Sequence, residues 1–153
     1  MIPISEILTP LHINLALASR DQAGGVDEVL SKLNGDPRVQ DWEGLVRAIT
    51  DRKAPAIPCG DCGICIAHGR TNAVNSLVMA AGRSADGLFS PEVKQPVRLI
   101  FVAGIPAAFD SEYLRIVGAI ARLCGNKTLL KELLAVPTPE KFIELLSAGE
   151  AKL

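Results

Sequence analysis

Apolar residues recur at helical spacing three times along the chain: at Val26, Val29, Leu30 and Leu33, at Val39, Trp42, Leu45, Val46 and Ile49, and at Leu114, Val117, Ile120, Ala121 and Leu123. Each set lays one apolar stripe along a helix. Between the stripes the pattern changes. His12 to Ala18 alternates with a period of two, and Gly63 to Ile66, Val74 to Ala81 and Val97 to Ala103 read as strands. The run Val97-Arg98-Leu99-Ile100-Phe101-Val102-Ala103 is nearly continuous in apolar residues, as a central strand covered by helices on both faces requires.

Local signals set the boundaries. Ser19 to Gly25 reads as a turn, and Asn34-Gly35 supplies a left-handed stop for the first helix. Asp36 as N-cap with Pro37 at the first helical position predicts a second helix running to about Arg52. Pro55 and Pro58 then lead into the strand that carries His68. Gly82 to Gly87 reads as a turn-rich loop and Gly104 to Ala108 as another. Asp110 or Ser111 is expected to cap a helix ending at Gly125, followed by Lys127 to Ala135 and by Thr138-Pro139-Glu140 onward to Leu146.

Composition narrows the classes. The 153 residues suit one domain spanning 1–153. Lys and Arg number 16 against 17 Asp and Glu, so there is no overall basic field for nucleic acid. The longest apolar stretch, Leu99 to Phe109, is 11 residues broken by Gly104 and Pro106, too short for membrane insertion. Met1 to Glu6 lacks the charged and apolar regions of a secretory signal, which predicts a cytoplasmic protein. The 4 cysteines are too few for a disulfide scaffold, and their thiols are expected to be reduced.

Candidate chemistry gathers in Gly63-Ile64-Cys65-Ile66-Ala67-His68-Gly69-Arg70-Thr71. A neutral imidazole at a strand end is a competent nucleophile, Gly69 lets the backbone approach closely, and Arg70 is a fixed cation. Cys59, Cys62, Cys65 and His68 recur every third residue, which raises zinc or an iron–sulfur cluster as an alternative. On a strand, however, residues three apart point to opposite faces, and Gly60 and Gly63 argue against a helix. Cys65 and Cys124 are read as small buried hydrophobes and His12 as structural; no metal or other cofactor is expected.

The motif Gly63-Ile64-Cys65-Ile66-Ala67-His68-Gly69-Arg70 resembles the Gly-Ile-Ala-Ile-Pro-His-Ala/Gly-Arg sequence at the phosphorylated histidine of enzyme IIA domains of the bacterial phosphoenolpyruvate-dependent sugar phosphotransferase system, of the fructose, mannitol and nitrogen-regulatory type. Ile4 to Pro10 is similar to that family's opening, and Val136 to Leu146 to its closing helix. The resemblance implies an α/β fold with a mixed central sheet flanked by helices on both faces. It also implies that His68 accepts a phosphoryl group from the histidine-containing phosphocarrier protein and passes it to an enzyme IIB, or acts on a regulated transporter or kinase.

The family places an arginine sixteen residues before this histidine, which here is Arg52, and a second histidine after the last strand, where this chain has Tyr113. Phosphoryl transfer depends on positioning and charge stabilisation. Arg52 and Arg70 would supply charge, Thr71 and Tyr113 hydroxyls, and the helix start near Ser111 its backbone amides. Ile66, Leu88 and Phe89 are the candidates for an apolar docking surface around His68. A non-catalytic regulatory or interaction module of the same fold is the alternative, because Tyr113 replaces the second histidine.

Overall fold

The structure is a computed structural model that describes residues 2–51 and 54–153, without the side chains of Asp110, Glu112 and Tyr113. Its sheet is built on β5 (Val97–Pro106), which lies between β3 (Cys62–Thr71) and β4 (Val78–Leu88). β5 runs parallel to β3 and antiparallel to β4. A two-residue strand β1 (Ile13–Asn14) pairs parallel with β4, and β2 (Ala56–Cys59) pairs antiparallel with β3. The sheet order is β1-β4-β5-β3-β2, and the sheet is mixed, as the resemblance implied. Pro58 cannot donate to a ladder and sits on the edge strand β2, where that costs least.

Alternation along the central strands divides the core in two. Ile64, Ile66, Phe101 and Ala103 pack under α1 (Ile4–Ile7), α4 (Asp110–Gly125), α5 (Lys127–Leu133) and α6 (Pro139–Glu150), with the Phe101 and Phe142 rings 6.3 Å apart between centroids. Cys65, Ala67, Ile100 and Val102 face α2 (Gln22–Leu30) and α3 (Trp42–Thr50). Helices therefore cover both faces, which is why β5 contains so few polar residues.

Several boundaries differ from the local signals. The strand expected over 12–18 shrinks to Ile13–Asn14: His12 closes a 3-10 turn, Asn14 Oδ1 accepts from Ala16 N, and Glu28 takes the Ala18 and Ser19 amides. Helix α2 starts a turn earlier than the apolar stripe, because Asp21 accepts from Gly24 N at 2.8 Å. Gly25 belongs inside it, since a Cβ there would lie 2.6 Å from Ile100 Cδ1. Gly35 does adopt the left-handed conformation, with φ +90°.

Asp36 caps no helix. Its carboxylate receives Arg38 N, Nε and Nη2 and faces His12, while Gln40 and Asp41 both donate to Ala73 O; α3 begins at Trp42 under the Asp41 cap instead. Residues 82–87 belong to β4 rather than to a loop, although the ladder jumps from Arg83↔Leu99 to Leu88↔Val97, so Ser84 to Gly87 bulge. Arg83 reaches the end of α5 and donates through Nη1 to the carbonyl of Leu133, an orphan acceptor of its last turn, and to that of Val136 in the segment that follows. Strand β4 starts at Val78, not Val74, and β5 continues through residues 104–106. Asp110 is the first helical residue of α4, with Phe109 at the cap and no side-chain cap bond, so neither Asp110 nor Ser111 caps it.

Candidate functional site

His68 stands near the C-terminal end of β3, registered against Ala103 of β5 and half-buried. Its Nδ1 lies 3.0 Å from the carbonyl oxygen of Ile66. A carbonyl only accepts, so Nδ1 carries the proton and donates, and Nε2 is left with its lone pair. One backbone contact thus fixes both the ring orientation and the tautomer.

Alternation places Arg70 on the same side of β3 as His68, with Gly69 and Thr71 on the other. Arg70 is solvent-exposed. Gly69 is buried against α3, where a Cβ would come within 2.6 Å of the Ala48 carbonyl oxygen. No side chain larger than hydrogen fits there, so Gly69 is what allows α3 to lie directly on the strand. Thr71 Oγ1 accepts from Ala73 N at 3.1 Å and shapes the turn that follows; its hydroxyl proton is still available to donate.

The strand β5 delivers α4 to the same end of the sheet, since Thr71 is registered with Pro106 four residues before α4 begins. Ser111 is exposed in the first turn of α4. Arg52 and the Tyr113 side chain lie outside the described residues.

The apolar surface falls elsewhere than expected. Ile66 and Leu88 are buried in the two cores, and Phe89, 70% exposed, lines a cavity of about 570 Å³ between α2, the end of α3 and Pro91, on the face away from His68. At the start of α4, Phe109 and Leu114 are instead exposed, by 37% and 71%. Periodicity marks Leu114 as a core position, but in the structure it stands exposed near the start of α4.

The cysteine spacing does not assemble a metal centre. Cys62 packs in the core under α4 to α6, whereas Cys65 lies in the opposite core, receives Gln22 Nε2 at 3.4 Å and has its thiol pushed up to about 12 by burial. Among the described residues no group of three or more His, Cys, Asp or Glu side chains is placed to hold a metal ion. His12 is structural as read, with Nδ1 3.0 Å from Thr9 Oγ1 and Nε2 3.2 Å from Asp36 Oδ2.

Comparison with known proteins agrees with this architecture. Residues 6–149 match the family model described as "Phosphoenolpyruvate-dependent sugar phosphotransferase system, EIIA 2", and the chain belongs to that family. It is 28% identical over 142 residues to the fructose-specific EIIA component of Haloferax volcanii, covering 92% of each chain. It is 25% identical over 145 residues to the fructose-specific EIIABC component of Bacillus subtilis, of which it spans 23% while 94% of this chain is covered.

Among solved structures, the nitrogen regulatory protein IIA-Ntr of Neisseria meningitidis superposes with a TM-score of 0.77 at 22% identity, covering 94% of this chain and 98% of that one. Mannitol enzyme IIA of Escherichia coli, in complex with phosphorylated enzyme IIB, gives 0.70 at 12% identity, covering 92% and 96%. These structures share the fold. Family and fold together support a phosphotransfer or regulatory role within the phosphotransferase system. Among the described residues no helix is long and apolar enough to cross a membrane.

Proposed function

We propose that residues 1–153 form one enzyme IIA domain that carries a phosphoryl group on His68, taking it from the histidine-containing phosphocarrier protein and passing it to an enzyme IIB or using it as a regulatory signal. The observation that carries this reading is the Nδ1–H bond from His68 to the Ile66 carbonyl, which leaves Nε2 as the nucleophile. The Nε2 lone pair attacks the phosphorus of the carrier's phosphohistidine. The new Nε2–P bond forms as the donor's N–P bond breaks; the donor ring, protonated on its other nitrogen, leaves as neutral imidazole while His68 keeps its Nδ1 proton, so no proton transfer is required.

Charge on the transferred oxygens is stabilised by donors rather than by an acid or base. Arg70 on the same strand face, Arg52, Tyr113 and the amides of the first turn of α4 near Ser111 are assigned that role, with Gly69 and Thr71 supporting the backbone around them. Phe109 and Leu114, exposed at the same end, suit a flat docking surface for a partner protein. The enzyme IIB partner is supported by the fold shared with the mannitol enzyme IIA complex.

The test is incubation with phosphoenolpyruvate, enzyme I and the phosphocarrier protein. Acid-labile phosphate on His68, absent from His68→Ala, is the expected result. No label, or a label retained in His68→Ala, overturns the assignment. The alternative, a docking module that is never phosphorylated, rests on Tyr113 standing where the family has a second histidine. It predicts no label together with partner binding that is indifferent to His68→Asp.

A further inference from the structure

Cys59 and Cys62 face each other across the tip of the β2–β3 hairpin. They are the registered pair that closes the turn, with Gly60 and Asp61 between them. Gly60 has φ +64° and Asp61 lacks a positive φ, the pattern of a type II′ turn. Directly opposed residues of an antiparallel pair have Cα atoms roughly 4.5–5.5 Å apart. A disulfide needs roughly 4.4–6.8 Å. Opposed residues also share one face of the sheet, so their Cβ atoms point the same way.

The thiols follow the backbone. Cys62 Sγ lies 3.7 Å from the Cys59 carbonyl oxygen and donates to it, which turns the sulfur back toward its neighbour across the hairpin. Cys59 is half-buried and Cys62 is buried, so Cys59 is the more accessible residue of the pair. Burial pushes both thiols up, with Cys59 and then Asp61 adding to the effect at Cys62 and Arg98 opposing it. Cys65 faces the opposite core, whereas Cys124, on α4, is buried in the same core as Cys62 and near enough for Cys59 and Cys62 to add to the burial that raises its pKa.

We propose that Cys59 and Cys62 are a reversible dithiol–disulfide pair, a redox modification site at the far end of β3 from His68. The oxidant is a small-molecule disulfide. The Cys59 thiolate attacks one of its sulfurs, forming a mixed disulfide and releasing one thiolate. Cys62, deprotonated, then attacks Cys59 Sγ and expels the second thiolate. Two protons pass from the protein to the two released thiolates, the small molecule is reduced by two electrons, and the protein gains one S–S bond. The bond would staple the edge strand β2 to β3 at the turn.

The experiment uses the full chain equilibrated with equal amounts of oxidised and reduced glutathione, then alkylated, digested and mapped by mass spectrometry. A Cys59–Cys62 link, two hydrogens lighter and reversed by dithiothreitol, with Cys65 and Cys124 alkylated, is the expected result. Alkylation of both Cys59 and Cys62, glutathione on either without the link, or a bridge to Cys124 overturns it. In Cys124→Ala the same link must form. In Cys59→Ser, Cys62 must be recovered as a thiol or a glutathione adduct.

Discussion

The Nδ1 nitrogen of His68 donates to the carbonyl oxygen of Ile66 at 3.0 Å, two residues back on the same strand. The imidazole is therefore held as one tautomer before any phosphoryl donor arrives, with the lone pair on Nε2. This relationship predicts that the phosphorylated chain carries its phosphoryl group on Nε2. Phosphorus and nitrogen NMR distinguish the two phosphohistidine isomers, and in the unphosphorylated protein the neutral ring should show the proton on Nδ1. Phosphate on Nδ1, or a ring protonated mainly on Nε2, contradicts it.

Gly69 makes a second prediction, because α3 packs onto β3 where this residue has no side chain. In Gly69→Ala the new methyl would sit 2.6 Å from the Ala48 carbonyl oxygen and 3.0 Å from its carbonyl carbon, backbone atoms that cannot rotate away. The helix must shift, and overpacking of this kind costs about 1–3 kcal/mol. Denaturant unfolding should show a lower midpoint at unchanged slope, and phosphate acceptance by His68 should fall with it. A midpoint equal to that of the wild type would show that α3 gives way freely.

His12 supplies the pH dependence. Burial lowers its pKa below the ordinary 6.5 and outweighs the Asp36 carboxylate 3.2 Å away, with Arg38 and Lys32 adding to the lowering. The folded state thus binds the proton less readily than the unfolded chain does. Stability from this residue is complete above 6.5 and is lost as pH falls through that value toward the folded pKa. Asp36 adds a lower window: hydrogen bonds from Arg38 are the largest cause of its lowered pKa, so its contribution disappears only below the ordinary 3.8. Unfolding free energies at about pH 7.5 and about pH 5.5 should show the wild type weaker on the acid side. His12→Gln should remove that difference while leaving the loss at lower pH; a wild type as stable at the acid value as at the alkaline one refutes the sign.

Much of the architecture is written in short-range pattern. The stripes at Val26 to Leu33 and Val39 to Ile49 do lie on or beside helices, Gly35 is left-handed, Thr138 caps α6 with Pro139 behind it, and Val97 to Ala103 is the central strand. Each depends on one residue's own conformational preference or on a face that must be buried. Where the expectation fails, a distant partner has taken the local signal. Asp36 has the chemistry of an N-cap, but Arg38 and His12 claim its oxygens; residues 82–87 have the composition of a turn, but β5 pairs with their flanks.

The sequence by itself determined that a histidine followed by glycine and arginine ends an apolar strand, because strand propensity, glycine's missing side chain and the motif are all properties of neighbouring residues. Only the tertiary structure decided which core each of Cys62 and Cys65 enters, and that Phe109 and Leu114 rather than Ile66, Leu88 and Phe89 are the exposed apolar groups at the start of α4, the end of the sheet where His68 lies. Those outcomes depend on contacts between segments far apart in the chain, such as α3 pressed onto Gly69 and β5 carrying α4 to the end of β3. No period or spacing along one stretch contains that information, because it arises only when the segments share a core.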